Sequence, residues 1–232
     1  MIVSEFIPRP YKSLLASGAV AYSSPSNIAL VKYWGKKAHQ IPANPSISFT
    51  LNNCKTLTIL KFKKKTTEGF SFEVFLEGVV QNDFKPKIEQ FFKRIEVYVP
   101  FVSKYHFDIH TSNTFPHSSG IASSASGMSA LALCLMEVEQ HLNPDISKAF
   151  FNRKASFLSR LGSGSACRSI EGPLVVWGAH KNISGSSDLV GLKYPYVVHP
   201  HFNNFCDTIL LVDKGEKQVS STVGHDLMHG HP

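Results

Sequence analysis

The chain has 232 residues, of which 43% are hydrophobic and 18% are charged, and its formal net charge at pH 7 is +7. This composition is typical of a globular protein and excludes a disordered chain, and the length is sufficient to bury a sizeable core. No apolar run approaches the ~18 residues of a membrane span, and the N-terminus lacks the order of a signal peptide, so we expect a cytoplasmic protein without membrane partners.

Alternating apolar and polar residues predict strands in the first half of the chain. These predicted strands cover 46–51, 56–62, 71–76 and 105–110. Asn52 and Asn53 predict a turn between the first two strands, and the basic run 61–65 falls where a further hairpin turn is expected. Apolar side chains spaced at three and four residues predict an amphipathic helix over 85–97.

The second half of the chain is predicted to be richer in helix. A buried helix is expected over 123–141, and Asp145 is the expected cap of a second helix that reaches residue 161. Apolar runs predict strands over 173–177 and 207–212. Hairpins, then helices, then further strands favour an α+β architecture. The polar stretch 181–191 is the best linker, which divides the chain into a domain of residues 1–188 and the beginning of a second, incomplete domain of residues 189–232.

Neither the cysteines nor the net charge requires a metal site, disulfides or a nucleic-acid partner. Cys54, Cys134, Cys167 and Cys206 are scattered without a C-x-x-C pair, so reduced thiols are expected rather than a zinc site or disulfides. The basic residues are mostly dispersed, and an anionic small-molecule substrate explains them as well as nucleic acid does. Nucleic-acid binding therefore rests on net charge alone.

Small and hydroxyl-bearing residues surround one arginine in the segment 163–169, which reads SGSACRS. Small residues let the backbone approach a ligand, and an arginine offers a planar fork of donors to a carboxylate or phosphate. A flexible loop with a solvated arginine is the alternative. A second Gly/Ser-rich segment, 116–127, runs directly into the Ala/Leu helix, where free N–H groups and the helix dipole form an anion site. Simple capping by Ser123 or Ser124 is the alternative there.

The third segment, 27–37, places Lys32 on the same face as two apolar residues and a tryptophan. Lys32 either snorkels to solvent or is held partly buried opposite an anion. Competing chemistries have weaker signatures. The chain has no Walker A loop and no G-x-G-x-x-G after a strand, and 225–229 (HDLMH) has Asp where a zincin needs Glu.

These segments, in this order, resemble the diphosphomevalonate decarboxylases, within the superfamily of galactokinase, homoserine kinase, mevalonate kinase and phosphomevalonate kinase. Residues 116–125 fit the superfamily pattern P-x-x-x-G-(L/I)-x-S-S-A, while 27–36 (NIALVKYWGK) and 162–169 (GSGSACRS) are similar to the decarboxylase's own signatures. Segments 42–51 and 219–224 are similar as well. The resemblance implies ATP- and Mg²⁺-dependent decarboxylation of (R)-5-diphosphomevalonate to isopentenyl diphosphate in the mevalonate pathway of isoprenoid biosynthesis.

The resemblance also implies which residues form the site. Catalytic roles fall to Lys32, Ser165 and Arg168. The substrate-binding positions are Asn27, Tyr33, Trp34, Gly35, Lys36, Ser163, Gly164, Ser165, Ala166, Cys167, Arg168 and Thr222. The ATP-binding positions are Ser118, Ser119, Gly120, Ile121, Ala122, Ser123, Ser124 and Ala125. No protein ligand to a metal is implied, since Mg²⁺ would bridge ATP phosphate oxygens.

The resemblance further implies a fold and an oligomeric state. The fold is a ribosomal protein S5 domain 2-like N-terminal domain, with a mixed or antiparallel sheet and helices on one face, followed by the start of a ferredoxin-like C-terminal domain. Family members are often homodimers, so the resemblance implies a homodimer as the expected oligomeric state. The family chain continues beyond this C-terminus and carries its catalytic aspartate there, so we expect a C-terminally shortened relative. A kinase that does not decarboxylate and an inactive ligand-binding fragment remain the alternatives.

Overall fold

The computed structural model describes residues 2–116 and 120–210. The strands are β1 (Ser17–Val31), β2 (Lys36–Lys37), β3 (Ile41–Pro42), β4 (Ser46–Lys64), β5 (Ser71–Leu76), β6 (Val79–Val80), β7 (Tyr105–Asn113), β8 (Leu174–Trp177) and β9 (Gly191–Lys193). The α-helices are α1 (Lys85–Ile95), α2 (Ser123–Leu142) and α3 (Lys148–Gly162). Short 3-10 turns cover Val3–Phe6, Ala38–Gln40, Asn82–Phe84, Pro100–Ser103, Gly164–Ser169 and Pro200–Phe202.

The long strand β4 is the axis of a mixed sheet. Strand β1 runs antiparallel to β4 over nearly its whole length, while β7 and β8 pair with the later and earlier parts of β4. Strand β5 adds parallel to β7, and β6 and β9 close the two ends of the order β6-β5-β7-β4-β8-β9. Strands β2 and β3 form a separate small hairpin. The predicted α+β class with a mixed sheet is therefore confirmed.

Alternate side chains of β4 separate a covered face of the sheet from an open one. Thr56, Thr58, Leu60 and Phe62 are buried, and the Oγ1 of Thr56 lies 2.6 Å from the Oγ of Ser126 on α2. The intervening residues of β4 are exposed on the opposite face. All three helices thus stabilise the core from one side of the sheet, as the resemblance implied.

The predicted turn at Asn52 and Asn53 is wrong, because both residues lie inside β4. Pro25 of β1 pairs with Lys55 and Asn27 pairs with Thr50, so β1 shifts register beside the two asparagines. Strand β4 accommodates these residues opposite a bulge and continues instead of reversing. The basic run likewise belongs to the end of β4 through Lys64, since tertiary pairing outweighs local turn preference there.

Other predictions differ in outcome. Helices over 85–97 and 123–141 are confirmed as α1 and α2. The cap of α3 is Ser147, whose Oγ accepts from the backbone N of Phe150 at 3.2 Å, so the assignment of Asp145 as the cap was wrong. Residues 207–210 form no strand, and the rest of that predicted strand lies outside the described residues.

The loop after β8 includes the predicted linker 181–191, and it returns the chain to the same sheet, because β9 pairs antiparallel with β8. The division at residue 188 and the ferredoxin-like second domain remain predictions, since residues 211–232 lie outside the described ranges. Among the described helices, none is long and apolar enough to cross a membrane.

Candidate active site

The buried guanidinium of Arg168 is the centre of the candidate site. Arg168 lies in the turn Gly164–Ser169 that follows α3, and only 3% of its surface is exposed. Its Nε donates to Oδ1 of Asn27 at 3.2 Å, and its Nη1 donates to Oγ of Ser46 at 2.7 Å. Asn27 belongs to β1 and Ser46 begins β4, so this one side chain joins three of the segments singled out in the sequence.

Asn27 fixes the turn Gly164–Ser169, the arginine turn, through hydrogen bonds of its side-chain amide. Its Oδ1 accepts from Arg168, while its Nδ2 donates to the backbone O of Ser165 at 3.2 Å and to Oγ of Ser169 at 2.7 Å. Asn27 is 4% exposed. Its contacts in the structure therefore position Arg168 and Ser165, while the direct substrate contact implied by the resemblance stays a prediction.

Two aromatic rings lie beside the guanidinium. The rings of Tyr33 and Trp177 meet edge to face with centroids 4.9 Å apart, and Cζ of Arg168 lies 5.5 Å from the Tyr33 ring and 6.0 Å from the Trp177 ring. Such cation–π contacts orient an arginine without neutralising it. Burial raises the pKa of the Tyr33 hydroxyl, although the nearby positive charge of Arg168 opposes this rise. Burial lowers the pKa of Arg168, yet a guanidinium remains charged in proteins.

The segment after β1 presents lysines and one open tryptophan. Lys32 is exposed, and its Nζ lies 5.1 Å from the centroid of the Trp34 ring, which is 51% exposed. The snorkelling alternative for Lys32 thus agrees with the structure. Gly35 follows with φ +74°, a conformation that favours glycine, and Nζ of Lys36 lies 5.9 Å from the ring of Tyr33. This edge combines positive charge with an accessible aromatic face.

The arginine turn separates residues that face the core from residues that face outward. A Cβ on Gly164 would lie 2.7 Å from Cη2 of the buried Trp177, so this position requires glycine for close packing. Cys167 is 1% exposed, and burial raises the pKa of its thiol to about 12, which makes it a packing residue and not a nucleophile. Ser163 and Ser165 are only half-buried, and the side chain of Ser165 hydrogen-bonds the hydroxyl of Tyr33.

The beginning of α2 has the features of an anion site. Its N-cap is Ala122, with φ 55° and no side-chain cap hydrogen bond, so the simple capping by Ser123 or Ser124 is not observed. Gly120 has φ +83°, and Oγ of Ser26 donates to the backbone O of Ile121, which ties the loop to β1. An uncapped helix start directs its N–H groups and positive dipole end at whatever lies in front of it.

Ser129 connects the uncapped helix to the arginine turn. Its Oγ lies 2.7 Å from the backbone O of Ala125 in α2 and 2.7 Å from the backbone O of Ala166 in the turn. Ala166 is fully buried beneath the turn. The arginine turn therefore packs against the beginning of α2, the helix that the segment 116–127 enters.

The structure brings together most, but not all, of the predicted site residues. One contact cluster is formed by Asn27, Tyr33, Ser165 and Arg168. Lys32, Trp34, Gly35 and Lys36 lie on the adjoining segment, and Ser123, Ser124 and Ala125 form the first turn of α2. Ser118, Ser119 and Thr222 fall outside the described residues.

Sequence reasoning did not assign roles to several residues of the site. Ser46 accepts a hydrogen bond from the guanidinium of Arg168, and Ser169 accepts one from the side chain of Asn27. Trp177, whose ring lies beside the guanidinium, was assigned only to an apolar strand. The signal available for Ser46 was its place in the family-like segment 42–51. The signal available for Ser169 was its place in the segment 163–169, where it accepts a hydrogen bond from Asn27 of β1. Trp177 carried no local signal, since its contact with Arg168 comes from β8 and the turn Gly164–Ser169 packing together.

Solved structures with the same fold define the class of protein. A mevalonate diphosphate decarboxylase from Legionella pneumophila matches with a TM-score of 0.68 and 30% identity, covering 93% of this chain and 64% of that chain. The decarboxylase from Enterococcus faecalis matches with a TM-score of 0.61 and 32% identity, covering 78% of this chain and 52% of that chain. The described fold is thus that of these decarboxylases.

The family follows from the sequence comparisons. Residues 24–189 match the family model of the diphosphomevalonate decarboxylase-like N-terminal domain, and the chain belongs to this family. The human diphosphomevalonate decarboxylase is 31% identical over 222 residues, covering 89% of this chain and 52% of the human protein. Its counterpart in Gibberella zeae is 32% identical over 216 residues, covering 87% and 53%. The chain spans about half the length of the curated relatives it matches.

Proposed function

We propose that this chain serves the ATP-dependent decarboxylation of (R)-5-diphosphomevalonate in isoprenoid biosynthesis. The reaction converts this substrate and ATP into isopentenyl diphosphate, ADP, phosphate and carbon dioxide. The observation that carries the proposal is the bracket of Arg168, Asn27 and Ser46, which joins three decarboxylase-like segments around one buried cation. In support, a similar solved structure with 32% identity and a TM-score of 0.59 holds MVAPP, AMPPCP and magnesium.

Arg168 would hold the substrate carboxylate. Its hydrogen bonds to described residues use Nε and Nη1, and a carboxylate is a suitable acceptor for further donors of the fork. A charge-assisted hydrogen bond of this kind contributes roughly 1.5–3 kcal/mol. Because the bracket and the two rings fix the guanidinium in advance, the carboxylate would be oriented relative to the C–O bond that breaks. Ser165 would add a hydroxyl at the same end.

The segment after β1 would bind the diphosphate. Tyr33, Trp34, Gly35 and Lys36 would contact its oxygens, and the positive φ of Gly35 lets the backbone turn toward the ligand. Lys32, which is exposed, would assist at the reacting centre with its ammonium group. A ligand that carries a carboxylate at one end and a diphosphate at the other matches a site with one buried arginine and an edge of lysines.

The uncapped start of α2 fits the phosphates of ATP. Residues 118–125 would surround them, because N–H groups at a helix start and residues with positive φ suit an anion. Within the described residues there is no cluster of three or more His, Cys, Asp or Glu side chains. Mg²⁺ bound with ATP would neutralise phosphate charge during phosphoryl transfer. We further propose a cytoplasmic location and a homodimer.

The test is the release of carbon dioxide and ADP by the 232-residue chain supplied with mevalonate 5-diphosphate and Mg-ATP. Equal amounts of both products are expected. Release of ADP without carbon dioxide would show that the chain is a kinase that does not decarboxylate its substrate. Calorimetric titration with mevalonate 5-diphosphate alone checks the binding step separately, and a folded chain that neither binds this substrate nor releases products would overturn the proposal.

A further inference from the structure

The side-chain amide of Asn44 spans the segment that carries the predicted diphosphate ligands. Its Oδ1 accepts from the backbone N of Trp34 at 2.7 Å. Its Nδ2 donates to the backbone O of Lys32 at 3.1 Å and to that of Pro45 at 2.9 Å. These partners fix the orientation of the amide, because an N–H group requires the oxygen and the two carbonyl groups require the nitrogen.

Regular structure does not hold this segment. Strand β1 ends at Val31 and β2 begins at Lys36, and residues 32–35 belong to neither strand. The backbone N of Ala43 donates to the backbone O of Gly35 at 3.2 Å, which closes the small hairpin of β2 and β3 next to this segment. Asn44 therefore supplies contacts that a strand ladder supplies elsewhere. Tyr33 is held by its packing against Trp177, whereas both ends of the three-residue segment 32–34 are bound to one amide. The directions of the Lys32 and Trp34 side chains therefore depend on Asn44.

We propose that Asn44 is a positioning residue for the diphosphate-binding segment 32–36. The inference rests on the proposed function for the identity of the ligand, whereas the fixing of the segment rests on the two hydrogen bonds that Asn44 makes with Trp34 and Lys32. Asn44 acts through the backbone of Lys32 and Trp34 and needs no contact with the ligand itself. Removing its amide releases the segment, so an anionic ligand would have to order the segment as it binds.

The chain carries a built-in reporter of this segment. It contains two tryptophans, of which Trp34 is 51% exposed and Trp177 is fully buried. Quenching of fluorescence by acrylamide therefore reports on Trp34. In the ligand-free Asn44→Ala variant we expect a higher quenching constant than in the wild type, with a melting temperature lowered by no more than about a few degrees. The exposed Asn52 offers the matched control, and Asn52→Ala should change neither quantity.

Binding is measured by calorimetry with mevalonate 5-diphosphate and, separately, with inorganic pyrophosphate. We expect Asn44→Ala to weaken binding of both probes about tenfold, as the loss of one to two net hydrogen bonds implies. Affinities within about twofold of the wild type would overturn the proposal. Should Asn44→Ala fail to fold, Asn44→Ser replaces it, because the shorter hydroxyl cannot span Trp34 and Lys32 and adds no charge near the anionic probes.

The two hypotheses fail in different ways. A wild-type chain that binds neither probe contradicts the proposed function, and the quenching of ligand-free Asn44→Ala then still decides whether Asn44 fixes the segment. A wild-type chain that binds the probes, together with an Asn44→Ala variant of normal quenching and normal affinity, contradicts the inference alone.

Discussion

A buried arginine is costly unless its charge is supported, and the support of Arg168 explains how this residue can wait in position for a ligand. Two hydrogen bonds and two aromatic rings replace the water that burial removes. The partners are neutral, so the positive charge is not cancelled within this cluster. A neutral bracket around a fixed cation favours an anionic ligand over a structural ion pair.

Replacing Arg168 with Ala should lower the rate of carbon dioxide release by ~100-fold or more, as the loss of a preorganised charge stabiliser does in other enzymes. Single-turnover release from mevalonate 5-diphosphate with Mg-ATP measures the effect. Arg168→Lys keeps the charge without the planar fork and should recover only part of the rate. Ser46→Ala, which removes one partner and leaves the arginine, should lower the rate less than Arg168→Ala does. A decrease smaller than about threefold for Arg168→Ala would contradict the assigned role.

At this scale the sequence predicted the cluster through residue types and order, without its geometry. Arg168 among small residues already indicated an anion ligand. The contacts of Ser46 and of the Trp177 ring with the arginine could not be predicted, because these residues reach it from strands that are distant in sequence. A single chain shows which residues could bind an anion, whereas the contacts between them depend on how β1, β4 and β8 pack.

The junction of α2 and α3 is pinned by a buried ion pair. Nζ of Lys154 lies 2.6 Å from Oε1 of Glu139, and the two side chains are 1% and 2% exposed. The hydroxyl of Tyr11 donates to the same oxygen at 3.1 Å, which adds the N-terminal segment to the junction. Burial raises the pKa of Glu139 and lowers that of Lys154, while each charge opposes the shift of the other. The pair therefore stabilises the junction only while both members are present.

Lys154→Met alone should destabilise the fold by roughly 3–5 kcal/mol, because it leaves a buried carboxylate without its cation. The double variant Lys154→Met with Glu139→Gln should lose less, since the charge is gone and an oxygen still accepts from Tyr11. Urea unfolding measures both. The exposed pair of Lys93 and Glu89, 2.7 Å apart, is the control, and Lys93→Met should cost about 0.5 kcal/mol or less. A double variant less stable than Lys154→Met would show that the remaining charge is not the cause.

Elements were predictable where periodicity was long, and less so where tertiary pairing decided. The apolar spacing of α1 and the composition of α2 identified both helices. Asn52 and Asn53 have turn propensity, yet they lie in β4 because β1 shifts register beside them. Ser147 caps α3 in place of the equally suitable Asp145, and such choices depend on where the preceding chain enters the helix.

At the scale of the whole molecule, the helices cover one face of the sheet and the candidate site lies where the arginine turn, β1 and the start of α2 meet. The family-like segments between residues 27 and 169 fall within the matched range 24–189, whereas 219–224 lies outside it, and the chain spans about half the length of its curated relatives. The order of the motifs therefore indicated the fold of residues 24–189. The predicted second domain stays a prediction, because residues 211–232 lie outside the described ranges. Burial in this core also raises the pKa of several cysteine and tyrosine side chains, which therefore keep their protons in the folded chain.

These raised pKa values predict that the folded chain loses stability at high pH. Burial raises the pKa values of the Cys134 and Cys167 thiols from 9.0 to about 12 and shifts several tyrosines in the same direction. The tyrosines concerned are Tyr11, Tyr22, Tyr33, Tyr98 and Tyr105. Above pH 9 the unfolded chain releases protons that the folded chain retains, so the free energy of unfolding falls as pH rises. Lys87 and Lys154, with lowered pKa values, act in the opposite direction but are fewer.

Urea unfolding at pH 8, 9, 10 and 11 measures this slope. Each of the two thiols should cost roughly 2–3 kcal/mol by pH 11, because one unit of pKa difference corresponds to about 1.4 kcal/mol. Cys134→Ala should flatten the profile, since it removes one of these groups from the buried helix. Cys206 is exposed, and Cys206→Ser should leave the profile unchanged. A free energy of unfolding that stays constant or rises between pH 8 and 11 would contradict the prediction and would mean that the buried lysines outweigh the thiols and tyrosines.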